Sequence, residues 1–171
     1  KFQIYAYCLM INHVHLLFHE GEKSMSCTFQ QINTRYACWY NKKYNRCGHL
    51  FQGRYKSSPV NDDSYFLILL RYIHRNPVKA GLCSKVSDYP WNSYHEYIDS
   101  NTLVNIDYPL SVLAKRKDQA FAAFKELVNC ESHYYDPTDD QLIITPYDSN
   151  RIPSESIETT PEDEAVSTFN R

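Results

Sequence analysis

Glycine is scarce in this chain, four in 171 residues, set against 15 tyrosines and eight phenylalanines. That balance excludes collagen-like, linker-like and low-complexity classes. The six cysteines, at positions 8, 27, 38, 47, 83 and 130, never form a Cys-x-x-Cys pair. Neither a zinc ribbon nor a thioredoxin-type redox site is therefore supported. Scattered thiols without a secretory signal predict a reducing, cytoplasmic setting. No apolar run reaches the roughly 18 residues a membrane span needs. The opening Lys1-Phe2-Gln3-Ile4 reads as a strand entered midway rather than a leader peptide, which predicts further sequence upstream. The length suits one domain with a sizeable core, or one domain plus an appendage.

Acidic residues are missing from one long stretch. Between Lys23 and Asn61 there are seven basic residues (Lys23, Arg35, Lys42, Lys43, Arg46, Arg54 and Lys56) and no acidic one. The formal net charge of −2 hides this division. Residues 1–100 hold 12 Lys/Arg against 7 Asp/Glu, whereas residues 101–171 hold 6 against 13. A basic stretch of this length fits a polyanion partner, although a solvated face has the same composition. Tyr36, Trp39, Tyr40, Tyr44, Phe51 and Tyr55 are interleaved with the bases. Exposed rings stack on unpaired bases, so the pattern favours nucleic acid.

The secondary-structure pattern begins with a strand over residues 1–12, rich in Ile, Tyr and Phe. Ile11-Asn12 suits a tight turn, returning His13–Phe18 as the antiparallel partner. Side chains alternate along a strand, so His13 and His15 share a face and Val14 points to the core. Ser24 or Ser26 is a candidate cap for a helix to about Asn45. Phe29, Ile32, Tyr36 and Trp39-Tyr40 repeat at the 3–4 spacing of a buried face, and Gly48 suits a left-handed stop. A short strand is expected at about Tyr55–Val60. A second helix, capped by Asn61 or Asp62, carries Tyr65, Phe66, Leu69, Leu70 and Ile73, with Asn76-Pro77 ending it. Residues 78–97 read as irregular. Pro109–Ala114 and Asp118–Glu131 read as helices, and residues 149–171 as a tail with little fixed structure.

Two imidazoles on one strand face can occupy two positions on a divalent metal, or can simply decorate a half-exposed strand. On the second helix, Tyr72 and Asn76 stand four apart and so project side by side. A tyrosine hydroxyl is a weak nucleophile, with a pKa near 10, and needs a phosphate already polarised by a cation. His13 and His15 with the Asn76 amide oxygen would hold that cation beside Tyr72. Alternatively, Tyr72 is core and Asn76 a cap.

Four blocks taken together resemble a known family. They are Cys8-Leu-Met-Ile-Asn-His-Val-His-Leu-Leu17, Gly48-His-Leu-Phe-Gln-Gly-Arg-Tyr-Lys-Ser57, Leu70-Arg-Tyr-Ile-His-Arg-Asn-Pro-Val-Lys-Ala-Gly-Leu82 and Tyr89-Pro-Trp-Asn-Ser-Tyr94. In this order they resemble the single-tyrosine HUH transposases, and most closely the REP-associated tyrosine transposases. The resemblance spans residues 1–98. It implies an α+β fold, a ferredoxin-like antiparallel sheet flanked by helices, with the family's N-terminal strand and helix missing here. It implies Mg²⁺ or Mn²⁺ on His13, His15 and Asn76, and attack by Tyr72 on single-stranded, hairpin-bearing DNA to leave a 5′-phosphotyrosine link. Arg54, Tyr55 and Lys56, with Arg75 and Lys79, would hold the strand and hairpin, joined by Arg35, Lys42, Lys43 and Arg46 of the basic stretch. Relatives act as monomers or homodimers.

The sequence departs from the family at Ile11, where proline is common. It also holds a rival nucleophile, Tyr65, seven residues before Tyr72; the Tyr-x-x-x-Asn-Pro context favours Tyr72. His74 is close in sequence to Tyr72 but faces elsewhere on the helix. Residues 99–131 resemble a helical extension, followed by an acidic, proline-containing tail over 132–171. The competing class is a nucleic-acid-binding module that has lost catalysis; a purely structural α+β domain is the third.

Overall fold

Two short strands rich in aromatic and aliphatic side chains form the centre of the molecule. The structure, a computed structural model, describes residues 2–99, 103–130 and the backbone of 167–170. β1 (Gln3–Leu9) pairs antiparallel with β2 (His13–His19), placing Cys8 opposite His15 and Tyr7 opposite Leu16. Tyr5 is the extra residue of a bulge, because the register moves between Ile4 and Ala6. The turn falls at Ile11-Asn12 as expected, and the Met10 N–H donates to the His13 carbonyl at 2.8 Å across it. The other edge of β2 is paired by β3 (Ser167–Asn170), with His13 opposite Asn170 and Leu16 opposite Ser167. That strand lies within the stretch read as a tail; residues 149–166 lie outside the described residues.

Both faces of the hairpin are covered. Val14 and Leu16 pack with Phe18 and Phe29 in a small cluster that includes Phe51 and Tyr55. The histidine face is the one beneath the larger core, so His15 is only 4% exposed rather than part of a half-exposed strand surface. That core joins Cys8 and Leu17 to Phe66, Leu69, Leu70 and Ile73 of the second helix.

Helix α1 (Met25–Lys43) starts where Ser24 accepts the Cys27 N–H, and it stops at Tyr44. Asn45, at φ 48°, takes the left-handed position next to the helix end, and Gly48 has the expected positive φ (93°) three residues further on. Only Phe29 of the expected apolar face is buried; Ile32, Tyr36 and Trp39 are 51%, 47% and 50% exposed. Spacing aligns side chains on one face but does not supply a surface to cover it.

Helix α2 (Asp63–Lys79) is capped by Asp62, whose carboxylate accepts the Tyr65 N–H at 2.7 Å. It runs through Pro77 instead of ending before it. Both Asn76 and Pro77 are buried, and packing there outweighs the local disfavour of a residue preceding proline. The stop comes at Gly81 (φ 69°), where the Gly81 N–H donates to Val78 and the Leu82 N–H to Pro77. These two bonds form a Schellman ending.

No strand forms at 55–60; Lys56 alone makes a bridge. The outer edges of the hairpin are used otherwise, by Asn92 at Cys8 and by β3 on β2. The stretch read as irregular contains a 3₁₀ turn at Val86–Asp88 and α3 (Tyr94–Asp99), whose first N–H groups are taken by Asn92 and Ser93. α4 (Asp107–Leu113) and α5 (Lys117–Asn129) follow as expected. Their Leu110, Ala120, Phe124 and Val128 enter the same core as α2, so residues 107–129 share the interior of the segment before them. The architecture is α+β: an antiparallel sheet with helices on both faces. Among the described residues no helix is long and apolar enough to cross a membrane.

Candidate active site

The geometry of the site starts from strand alternation. Because β2 points His13 and His15 to one face, their rings meet edge to face with centroids 4.7 Å apart. The two Nε2 atoms face each other at 2.9 Å. Neighbouring ligands on an octahedral ion bound at about 2.1 Å stand roughly 3 Å apart, so this pair fits two adjacent positions on such an ion. Burial lowers the pKa of His13. It pushes His15 down to about 3, with a further push from His13. Both imidazoles are thus neutral at pH 7, the form that binds metal.

The Asn12 Oδ1 lies 2.7 Å from His13 Nδ1. Sequence reading missed this contact, although the Asn-His pair at the turn was in view. The Nδ1 of His15 is buried without a hydrogen-bond partner among the described residues.

α2 crosses this face of the hairpin and lays the Tyr72 ring edge-on against His15, with centroids 5.5 Å apart. His13, His15 and Tyr72 are therefore brought together. Asn76 lies one turn beyond Tyr72, 9% exposed, and among the described residues its Nδ2 has no hydrogen-bond partner. Each of these orphaned atoms is unusual, since buried polar groups are nearly always paired. Among the described residues no group of three or more His, Cys, Asp or Glu could hold a metal. A third protein ligand from these residues would have to be of another type, such as an amide.

His74 faces away from the histidine pair, as its helix position implied. It is fully buried, with Nδ1 2.7 Å from the Leu70 carbonyl and Nε2 2.9 Å from Ser93 Oγ. Ser93 in turn accepts the Tyr7 N–H at 2.9 Å, and its own N–H donates to the Tyr7 carbonyl at 2.9 Å. His74 and Ser93 thus tie α2 to β1. Burial holds His74 down to about 4 despite those hydrogen bonds.

The candidate DNA-binding residues divide into two groups. Arg35, Lys42, Lys43, Arg46 and Arg54 are exposed on or after α1. Lys43 sits over Trp39 at 4.8 Å and Tyr44 at 5.4 Å, and Arg46 over Tyr40 at 5.6 Å. Others are engaged in the fold. Tyr55 packs on Phe29, with its hydroxyl 2.7 Å from Ser26 Oγ. The Arg75 guanidinium donates to the Val128 carbonyl at 3.3 Å, beside Arg71 donating to that of Cys130 at 2.8 Å. These cations satisfy the carbonyl end of α5. Lys56 is half-buried and Lys79 exposed at the end of α2.

Residues 1–76, which hold both histidines, Tyr72 and Asn76, match the family described as "Transposase IS200 like". The resemblance is to the IS200-like transposases. Over 106 residues the chain is 30% identical to a putative REP-associated tyrosine transposase of Haemophilus influenzae, covering 55% of this chain and 60% of that relative. Over 98 residues it is 26% identical to the REP-associated tyrosine transposase of Escherichia coli K12, covering 55% of each. The chain thus spans little more than half the length of these curated relatives. No solved structure matches significantly.

Proposed function

We propose that the chain carries the catalytic residues of a transposase that cuts and rejoins single-stranded, hairpin-bearing DNA. The observation carrying this reading is the contact of Tyr72 with His15, beside two imidazole nitrogens converging at 2.9 Å. His13 and His15 would hold Mg²⁺ or Mn²⁺, with the Asn76 amide oxygen as a third ligand. The bound ion would supply Lewis-acid polarisation of the scissile phosphate. The Tyr72 oxygen would attack phosphorus, forming a tyrosyl O–P bond as the bond to the 3′-oxygen breaks. The hydroxyl proton leaves Tyr72, and the departing oxygen takes up a proton to become a 3′-hydroxyl. Reversal on a new 3′-end would release Tyr72 and join the strands. The exposed cations and rings of α1 would hold the flanking DNA.

Incubation with end-labelled hairpin DNA and Mn²⁺ tests the reading. A covalent protein–DNA band is expected for the wild type. It should be lost with Tyr72→Phe, while DNA binding stays within about twofold, and lost with His13→Ala or with chelator. A band that persists in Tyr72→Phe or in chelator contradicts the assignment. Salt-sensitive binding with no band from the wild type favours the alternative, a nucleic-acid-binding module without catalysis.

A further inference from the structure

We infer that Asn12 is a positioning residue that holds the proton of His13 on Nδ1 and so presents its Nε2 as a free lone pair to the ion. The inference rests on the reading in which the histidine pair binds a divalent metal. Its basis is the 2.7 Å contact between Asn12 Oδ1 and His13 Nδ1. An amide oxygen only accepts, so the contact requires an N–H at Nδ1. The metal-binding form of an imidazole is neutral and has one N–H, so with that proton on Nδ1 the Nε2 atom is left bare. In water, neutral histidine prefers the opposite tautomer, with the proton on Nε2, which cannot ligate through that atom. A hydrogen bond to the remote nitrogen of a metal-binding histidine corrects this and also fixes the ring.

A left-handed backbone is not the reason for asparagine at this position. Asparagine is favoured in turns where the backbone enters the left-handed region. Among the described non-glycine residues only Asn45 has positive φ, so Asn12 has ordinary backbone geometry that other residues adopt equally well. The pair is also asymmetric. Among the described residues His15 has no acceptor at its Nδ1. With His13 Nε2 bare, the 2.9 Å contact between the rings is made by His15 Nε2–H donating to it. An ion would replace that hydrogen bond, with His13 already set and His15 exchanging its proton to the other nitrogen.

Two measurements separate this inference from the metal reading. Long-range ¹H–¹⁵N imidazole spectra of the metal-free protein report the tautomer directly. His13 should be Nδ1–H in the wild type and in Asn12→Asp, and shift towards Nε2–H in Asn12→Leu. Mn²⁺ titration should show affinity falling about tenfold or more in Asn12→Leu and returning to wild-type strength or better in Asn12→Asp, within the range known for such outer partners. A wild-type His13 protonated on Nε2 overturns the inference. So does an Asn12→Leu chain that binds Mn²⁺ within twofold of the wild type. A wild-type chain that binds no Mn²⁺ while His13 is Nδ1–H overturns the metal reading, and the positioning role with it.

Discussion

Burial acts on three histidines here, and it sets how the fold responds to acid. His74 stays neutral in the folded state down to about pH 4, whereas an unfolded histidine titrates near 6.5. Below pH 6.5 the unfolded chain therefore binds the extra proton, and stability falls as pH drops from 6.5 towards 4. The slope from one such group is about 1.4 kcal/mol per pH unit. Urea midpoints measured between pH 7.5 and 4.5 should fall steeply, and His74→Phe should flatten the slope by about one proton. An unchanged slope would show that His74 is not held neutral. Which residues matter was partly legible beforehand. The shared face of His13 and His15 follows from strand alternation, and the shared face of Tyr72 and Asn76 from helical spacing. The partners that fix those side chains were not legible. Asn12 sits beside His13 in sequence, but Ser93 reaches His74 across 19 residues and Tyr7 across 86. Such contacts depend on tertiary packing, which periodicity does not encode.

The helices divide by what covers them. α2 was read correctly as amphipathic, and it buries its apolar face on β1. Its end was misread, because Pro77 is a strong local stop signal and the Schellman ending at Gly81 depends on how that last turn packs. α1 has the same apolar spacing, yet Tyr36, Trp39 and Tyr44 remain about half exposed. Lys43 lies over Trp39 and Tyr44, Arg46 just after the helix lies over Tyr40, and no acidic residue occurs from Lys23 to Asn61. This surface suits a nucleic-acid strand, offering charge to phosphates and faces to bases. Lys43→Ala should weaken hairpin binding and lower the salt slope of log K by about 0.7–0.9, one phosphate contact. Trp39→Ala should weaken binding by about 1–3 kcal/mol, as for loss of one stacked base. Filter binding from 50 to 200 mM salt checks both, and unchanged affinity in both variants would place the DNA elsewhere.

At the scale of the molecule, the segment expected to be an added extension is joined to the second helix. Phe124 of α5 stacks on Tyr97 at 4.1 Å and 8°, and meets His74 edge-on at 5.3 Å. Arg71 and Arg75 tie the α5 carbonyl end to the helix that bears Tyr72. Phe124→Ala should cost about 3–5 kcal/mol, lowering one common unfolding transition rather than melting the α4–α5 segment alone. Calorimetry that shows two separate transitions would contradict the shared core. The α+β class was legible from the family resemblance, supported by the Ile-, Tyr- and Phe-rich first strand and the helical spacing of apolar residues in α2. The sharing was not, since the apolar faces of α4 and α5 do not name the surface they meet.

In the proposed function Tyr72, placed against the histidine pair, is the residue that takes the DNA. Tryptic mass mapping of the protein–DNA adduct tests it most directly, because cleavage after Arg71 and Arg75 isolates Tyr72-Ile-His-Arg75 from the peptide holding Tyr65. A nucleotide remnant is expected on Tyr72 within that four-residue peptide. A remnant on Tyr65, or on any other residue, would contradict it.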